Sequence, residues 1–292
     1  MKIIVLGNGK WGGAMASLLR ENNKEFSFWQ RDTNIEDNSI LVNCLPTQVI
    51  REVFETYGKN LKNIIVVNGA KGIEQNTHRL QYEIFKDIYG ENLDYFTLIG
   101  PGFAQEIIDK MPTLVNIGYF KAQNCEIVKD LFQTDYFRIR LVDHVRALEL
   151  SAAFKNIYAI ATGIADGLGF QTNTKTKLII IAIEELYRLS KSLNLVIDED
   201  MIAGTVGDLI LTCSSEESRN FSFGKLLAKE KVKEALSIVG ETTEGYHAIE
   251  SLPYFEQKAK VKLSLARFVY EAVKQDEPEK IRELFITFVE NV

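Results

Sequence analysis

Apolar and polar positions alternate in blocks along the first half of the chain. Lys2-Ile3-Ile4-Val5-Leu6 is a strand-length apolar run, and strand-like runs recur at 26–29, 40–45, 64–67, 95–99, 114–117 and 136–141. Between most of them lie segments with apolar residues at three- and four-residue spacing, at 13–19, 47–57, 76–89 and 122–132. That alternation predicts an α/β domain built on a mostly parallel sheet. One interval departs from it: 30–39 is polar and barely reaches the dozen or so residues a parallel crossover needs, so a strand and helix usual in such folds are expected to be missing. After residue 142 the strand pattern stops, and long helical periodicities follow at 143–167, 173–193, 223–229, 243–257 and 278–289. The expected organisation is a first domain over 1–141 and an all-helical second domain over 142–292. No Pro/Gly linker separates them, so a helix is expected to join them directly, with ligand bound in the cleft between.

The first run leads into Gly7-Asn8-Gly9-Lys10-Trp11-Gly12 and a helix-like segment. This GxGxxG turn fits a dinucleotide. Gly7 allows the tight turn, Gly9 lets a pyrophosphate approach the backbone, and Gly12 permits close packing of helix on strand. The new helix offers its free amides and positive dipole end to phosphate. Glycines also close ordinary strand–helix turns. The second strand-like run one helix later favours the nucleotide reading, a Rossmann-type doubly wound sheet, shortened after its second strand.

Composition narrows the function classes. The 292 residues are 46% hydrophobic and 25% charged, a globular balance, and the net charge of −6 argues against a surface built for nucleic acid or anionic lipid. A pocket for a phosphorylated small molecule must then supply its own positive charge. Cys44, Cys125 and Cys213 lack CxxC spacing, and with three scattered histidines they do not resemble a metal site. Free thiols in a reducing cytoplasm are expected. The run after Met1 is a strand rather than a targeting peptide, and no apolar run approaches the roughly 18 residues of a membrane span.

Three segments carry candidate chemistry. Lys71, in Asn68-Gly69-Ala70-Lys71-Gly72-Ile73-Glu74, lies just past a strand end, where open parallel sheets place their ligands. Lys155 sits in Glu149-Leu150-Ser151-Ala152-Ala153-Phe154-Lys155-Asn156, an almost uncharged helix. Burial and a neighbouring cation would both disfavour its ammonium and let it accept a proton, whereas the competing reading has it snorkel to the surface. Gly207-Asp208-Leu209-Ile210-Leu211-Thr212-Cys213 followed by Ser218-Arg219-Asn220 gathers a carboxylate, a hydroxyl, a guanidinium and an amide suited to a phosphate ester. The alternative is a helix with an N-terminal Asp and a surface loop.

Taken together with Leu45-Pro46-Thr47-Gln48 and Gly100-Pro101-Gly102-Phe103-Ala104, these motifs, in this order, resemble NAD(P)-dependent glycerol-3-phosphate dehydrogenase over nearly the whole chain. The resemblance implies interconversion of dihydroxyacetone phosphate and sn-glycerol 3-phosphate, supplying glycerophospholipid synthesis. It implies that Lys155 accepts the proton of the C2 hydroxyl while hydride passes to the nicotinamide. Lys71 would contact substrate and cofactor and stabilise oxyanion charge, and Asp208 and Thr212 would complete the polar network. Substrate contacts are implied at Gly100, Gly102, Asn156, Asp208, Ser218, Arg219 and Asn220. Cofactor contacts are implied at Gly7, Gly9, Lys10, Trp11, Gly12, Arg31, Ala104, Arg219 and Glu244.

The chain departs from the family pattern at several points. Gly102 replaces the usual serine, which removes a side-chain hydroxyl from the substrate side. Gln171-Thr172-Asn173 replaces Gly-Asp-Asn, Lys10 replaces a small residue, and 30–39 is short. Gln30-Arg31-Asp32 leaves cofactor choice open: Arg31 suits the 2′-phosphate of NADP, and Asp32 the ribose hydroxyl of NAD. The reading leans toward NADP, with NAD as the alternative. Apolar helical surface in the second domain is compatible with a homodimer.

Overall fold

The computed structural model describes residues 1–240 and 242–292. The chain packs as two compact units: Met1–Lys71 with Arg79–Glu149 and Asp198–Thr205, and Gly72–His78 with Leu150–Ile197 and Val206–Val292. The units are thus threaded through one another along the sequence, whereas the expected division at 141/142 is a single cut.

The first unit runs β1 (Lys2–Leu6), α1 (Lys10–Glu21), β2 (Ser27–Phe28), β3 (Ser39–Asn43), α2 (Thr47–Tyr57), β4 (Ile65–Asn68), α3 (Gln81–Tyr89), β5 (Asp94–Ile99), α4 (Ala104–Ile108), β6 (Thr113–Tyr119), α5 (Cys125–Phe132) and β7 (Phe137–Val142). The seven strands lie in the order β2-β1-β3-β4-β5-β6-β7. All neighbours are parallel except β5 and β6, which run antiparallel. Side chains alternate between two layers. Ile3, Val5, Val42, Val67 and Phe96 pack with Ala14, Met15 and Leu18 of α1 and Val128 and Phe132 of α5. Ile4, Leu6, Leu41, Val66 and Tyr95 pack with Ile50 and Phe54 of α2 and Phe85 of α3. Burial on both faces is why these strands read as continuous apolar runs, each large side chain contributing about 2 kcal/mol.

No helix or further strand lies between β2 and β3. The chain passes from one side of β1 to the other within that short interval, and the sheet order reverses at β1. Such a reversal opens a crevice beyond the strand ends.

The predicted helix 76–89 begins only at Gln81, because Asn76 and His78 hold φ of 65° and 58°. The helix predicted over 122–132 begins at Cys125, after Asn124 at φ 63°. Left-handed residues cannot sit inside an α-helix.

α6 (Val145–Gly167) starts in the first unit and continues without a break into the second. The second unit then runs α7 (Thr172–Ser192), a π-helical turn at Ala203–Gly207 shared with the first unit, α8 (Asp208–Ser214), α9 (Arg219–Leu227), α10 (Val232–Val239), α11 (Glu244–Ala248), α12 (Leu252–Ala259), α13 (Ser264–Ala272) and α14 (Pro278–Asn291). The periodicity at 243–257 is split between α11 and α12, with Pro253 in the first turn of α12, where its missing N–H costs nothing. α6 and α9 meet backbone to backbone: a Cβ on Gly163 would lie 2.0 Å from the Phe221 carbonyl oxygen, and one on Gly224 2.1 Å from that of Ile160. Glu185 of α7 accepts from the Leu265 and Ala266 amides at 2.7 and 3.2 Å, satisfying donors at the start of α13. Among the described residues no helix is long and apolar enough to cross a membrane.

Candidate active site

In the second unit α6 brings Lys155 to α8. Its Nζ donates to Asp208 Oδ1 and to Thr212 Oγ1, both at 2.7 Å. Thr212 Oγ1 in turn donates to the Asp208 carbonyl oxygen at 2.7 Å, which turns its lone pairs toward the lysine. The Lys155 and Asp208 side chains are only 7% and 2% exposed, so snorkelling is ruled out and the buried charges neutralise each other. Asp208 opens α8 directly after the π-helical turn, as the alternative of an N-terminal helix Asp expects, and it is buried against Lys155. Beside Lys155, Asn156 Oδ1 accepts from Asn220 Nδ2 at 3.0 Å, and Asn220 Oδ1 accepts from the Gly245 amide at 2.8 Å. Asn156, the chain neighbour of Lys155, is thus joined through Asn220 to the Gly245 amide at the start of α11. Ser218 is the N-cap of α9, accepting from the Phe221 amide at 3.3 Å, and Arg219 donates to Thr242 Oγ1 at 2.5 Å.

In the first unit Lys71 follows β4. Its Nζ donates to the Gly100 carbonyl oxygen at 3.0 Å and stands 5.6 Å from the centroid of the Trp11 ring. Gly100 is packed against Val115, which a Cβ would meet at 2.7 Å. Around Gly102 there is more room, and a Cβ there would meet Ile107 Cδ1 at 3.2 Å. Ala104 begins α4.

The turn after β1 has the form an anion needs. Gly7 takes φ +99°, and a Cβ on Gly12 would lie 1.8 Å from the Gly7 carbonyl oxygen, so α1 starts flush against the strand end. Gly9 caps α1 with no side-chain bond, the first turn carries no acidic residue, and Lys10 is its first residue. A Cβ on Gly9 would meet nothing within 4 Å. Trp11 Nε1 is buried with no hydrogen-bond partner among the described residues. An uncapped N-terminus, open space at Gly9 and an orphaned donor together fit a dinucleotide's phosphates. Next to this turn a cavity of about 390 Å³ is lined by Gly7, Asn8, Trp29, Arg31, Leu45, Val49, Glu52, Val53 and Tyr57, so it lies just past β1, β2 and β3 and along α2. That is the crevice the sheet reversal predicts.

Several residues that belong to none of the sequence motifs also build these sites. Asn43 Nδ2 donates to Asn68 Oδ1 at 2.7 Å, and Asn68 Nδ2 donates to the Ala70 carbonyl at 3.1 Å, fixing the loop that carries Lys71. Asn116 accepts from the Gly204 amide at 2.7 Å and donates to the Asp200 carbonyl at 2.8 Å, tying the segment before Asp208 to β6. The available signal was a buried-strand run ending in, or interrupted by, asparagine. The three cysteines are free, and burial pushes Cys44 and Cys213 up to about 12, which keeps them as inert thiols.

The model of the NAD-dependent glycerol-3-phosphate dehydrogenase N-terminus matches residues 2–38 and 32–125, and that of the C-terminus matches 144–283. A glycerol-3-phosphate dehydrogenase (NAD(P)+) of Thermoanaerobacter sp. (strain X514) is 33% identical, with 92% of each chain covered. Another, of Solidesulfovibrio magneticus, is 31% identical over 96% of each. The crystal structure of glycerol-3-phosphate dehydrogenase from Coxiella burnetii shares the fold at a TM-score of 0.87, 23% identity and 99% coverage of each chain. Two family models that between them take in both the phosphate turn and the buried lysine, and relatives that match almost end to end, leave one assignment: the chain belongs to the NAD-dependent glycerol-3-phosphate dehydrogenase family.

Proposed function

We propose that the protein interconverts dihydroxyacetone phosphate and sn-glycerol 3-phosphate, with Lys155 moving the proton at the C2 oxygen. The observation that carries this is the buried Lys155 ammonium held by Asp208 and Thr212 at 2.7 Å each. A fixed ammonium is the proton donor that ketone reduction requires, and the same nitrogen takes the proton back in the oxidation. The nicotinamide, when bound, supplies the hydride to C2. Lys71 contacts substrate and cofactor and offsets charge on the developing alkoxide. Gly100, Gly102, Asn156, Ser218, Arg219 and Asn220 hold the glyceryl phosphate, with Arg219 suited to bidentate phosphate binding. Lys10 and Trp11 meet the pyrophosphate; Arg31, Ala104 and Glu244 complete the cofactor contacts.

NADPH is the preferred reductant, supported by Arg31 in the wall of the cavity beside the phosphate turn. The product feeds glycerophospholipid synthesis in the cytoplasm. Exposed Ile180 and Tyr187 on α7 support a homodimer. The test is oxidation of NADPH and NADH with dihydroxyacetone phosphate against unphosphorylated ketones. Turnover confined to the phosphorylated ketone is expected, as is its loss in Lys155→Ala. A folded Lys155→Ala protein with near-normal kcat sinks the proton role, and a tenfold preference for NADH sinks the cofactor assignment.

A further inference from the structure

The short interval between β2 and β3 folds into a fixed device against the end of α2. The Thr33 amide and hydroxyl both donate to the Gln30 carbonyl, at 3.2 and 2.6 Å, closing a tight turn. Trp29 Nε1 donates to the Thr33 carbonyl at 2.9 Å, and its ring packs on Tyr57 with centroids 5.4 Å apart. Tyr57, the last residue of α2, holds the turn twice. Its carbonyl accepts from the Ile35 amide at 2.7 Å and its hydroxyl donates to Asp32 Oδ1 at 2.6 Å. Asp32 sits at φ 66°, a left-handed conformation that Asp adopts more readily than most residues. The two neighbours that sequence left in competition therefore part company. Arg31 lines the cavity together with Glu52 and Tyr57, and Asp32 does not.

We propose that Tyr57 sets cofactor choice by holding the Asp32 carboxylate out of the adenosine cavity, so that the ribose 2′ position meets Arg31 and a 2′-phosphate is read in preference to a 2′-hydroxyl. This rests on the reading that the cavity takes the adenosine half of the cofactor. A carboxylate near the 2′ position would accept from a hydroxyl and repel a phosphate, so where Asp32 points is worth as much as the presence of Arg31. The Tyr57 phenol is correspondingly pushed up from its ordinary value, chiefly by its bond to Asp32.

Calorimetric binding of 2′,5′-ADP and 5′-AMP to the full chain tests this without turnover. Wild type should prefer 2′,5′-ADP by about tenfold or more, and Tyr57→Phe, which frees Asp32, should lose most of that preference. Asp32→Asn should keep the wild-type ratio, because its carboxylate is already withdrawn. The double variant Tyr57→Phe/Asp32→Asn should restore the preference that Tyr57→Phe loses. Melting curves establish that each variant is folded. A Tyr57→Phe ratio within about twofold of wild type, or a tenfold loss of 5′-AMP affinity in Asp32→Asn, overturns the proposal and leaves the glycerol 3-phosphate chemistry standing. A wild-type protein that binds neither nucleotide overturns the adenosine placement as well.

Discussion

Lys155 and Asp208 form an ion pair 2.7 Å long between α6 and α8, with both side chains buried. Asp208→Ala is expected to cost about 3–5 kcal/mol in urea unfolding near neutral pH, because it removes the carboxylate paired with a buried ammonium. Lys155→Met/Asp208→Leu should recover most of that stability while remaining inactive. A stable, active Asp208→Ala enzyme would show that the pair does not organise the reaction.

Trp11 offers a different separation of stability from binding. Its indole N–H is a buried donor that meets no acceptor among the described residues, so Trp11→Phe removes a desolvated polar group and little packing. Thermal unfolding of the ligand-free protein should change by less than about 1 kcal/mol, while NADP+ affinity measured by calorimetry falls several-fold. An unchanged affinity would mean that the indole N–H serves no phosphate.

Gly102 stands where the family pattern has serine, and the surroundings tolerate the larger residue. The Ile107 Cδ1 methyl at 3.2 Å from an added Cβ is the end of a flexible side chain. Gly102→Ser is expected to fold normally and to lower the KM for dihydroxyacetone phosphate a few-fold by adding one hydrogen bond, with kcat little changed. A raised KM in a protein of unaltered Tm would show that this backbone, not a missing hydroxyl, is what the substrate needs.

Two buried carboxyls give stability a pH dependence. Burial pushes Glu149 up from 4.5 to about 7 despite bonds from the Tyr82 amide and Tyr95 hydroxyl, and Glu185 likewise to about 7. Between about pH 4.5 and 7 the unfolded chain releases these protons and the folded chain keeps them, so stability falls as pH rises through that window and levels off above it. Each group contributes roughly 3 kcal/mol at most. Unfolding free energies measured from pH 5 to 8 should show the decline, and Glu149→Gln should flatten it. A stability that rises with pH across that range in wild type, with no change of slope in the variant, would rule Glu149 out as a source.

The sheet was legible because its strands are buried on both faces, so 40–45, 64–67 and 95–99 stand out as apolar runs. The phosphate turn was legible because its steric demands leave glycine little competition at Gly7 and Gly12. Lys155 announced itself as a charge in an uncharged helix. What the sequence hid depends on backbone conformation or on distant partners. Left-handed Asn76, His78 and Asn124 shorten helices whose side-chain periodicity is intact. The separation of Arg31 from Asp32 needs Tyr57, which is remote in the chain. Short amphipathic stretches such as α10 and α13 carry too few turns for a period to register, and α13 borrows its cap from Glu185 on α7.

The contact between α6 and α9 has a consequence for divergence. Its spacing is set by main-chain atoms at Ile160, Gly163, Phe221 and Gly224, not by the volumes of neighbouring side chains. Core residues around it can drift in size and shape while the helix bearing Lys155 keeps its station. The surroundings of Lys155 are thereby insulated from most mutations of the core, and the vulnerability is concentrated in Gly163, Gly167 and Gly224.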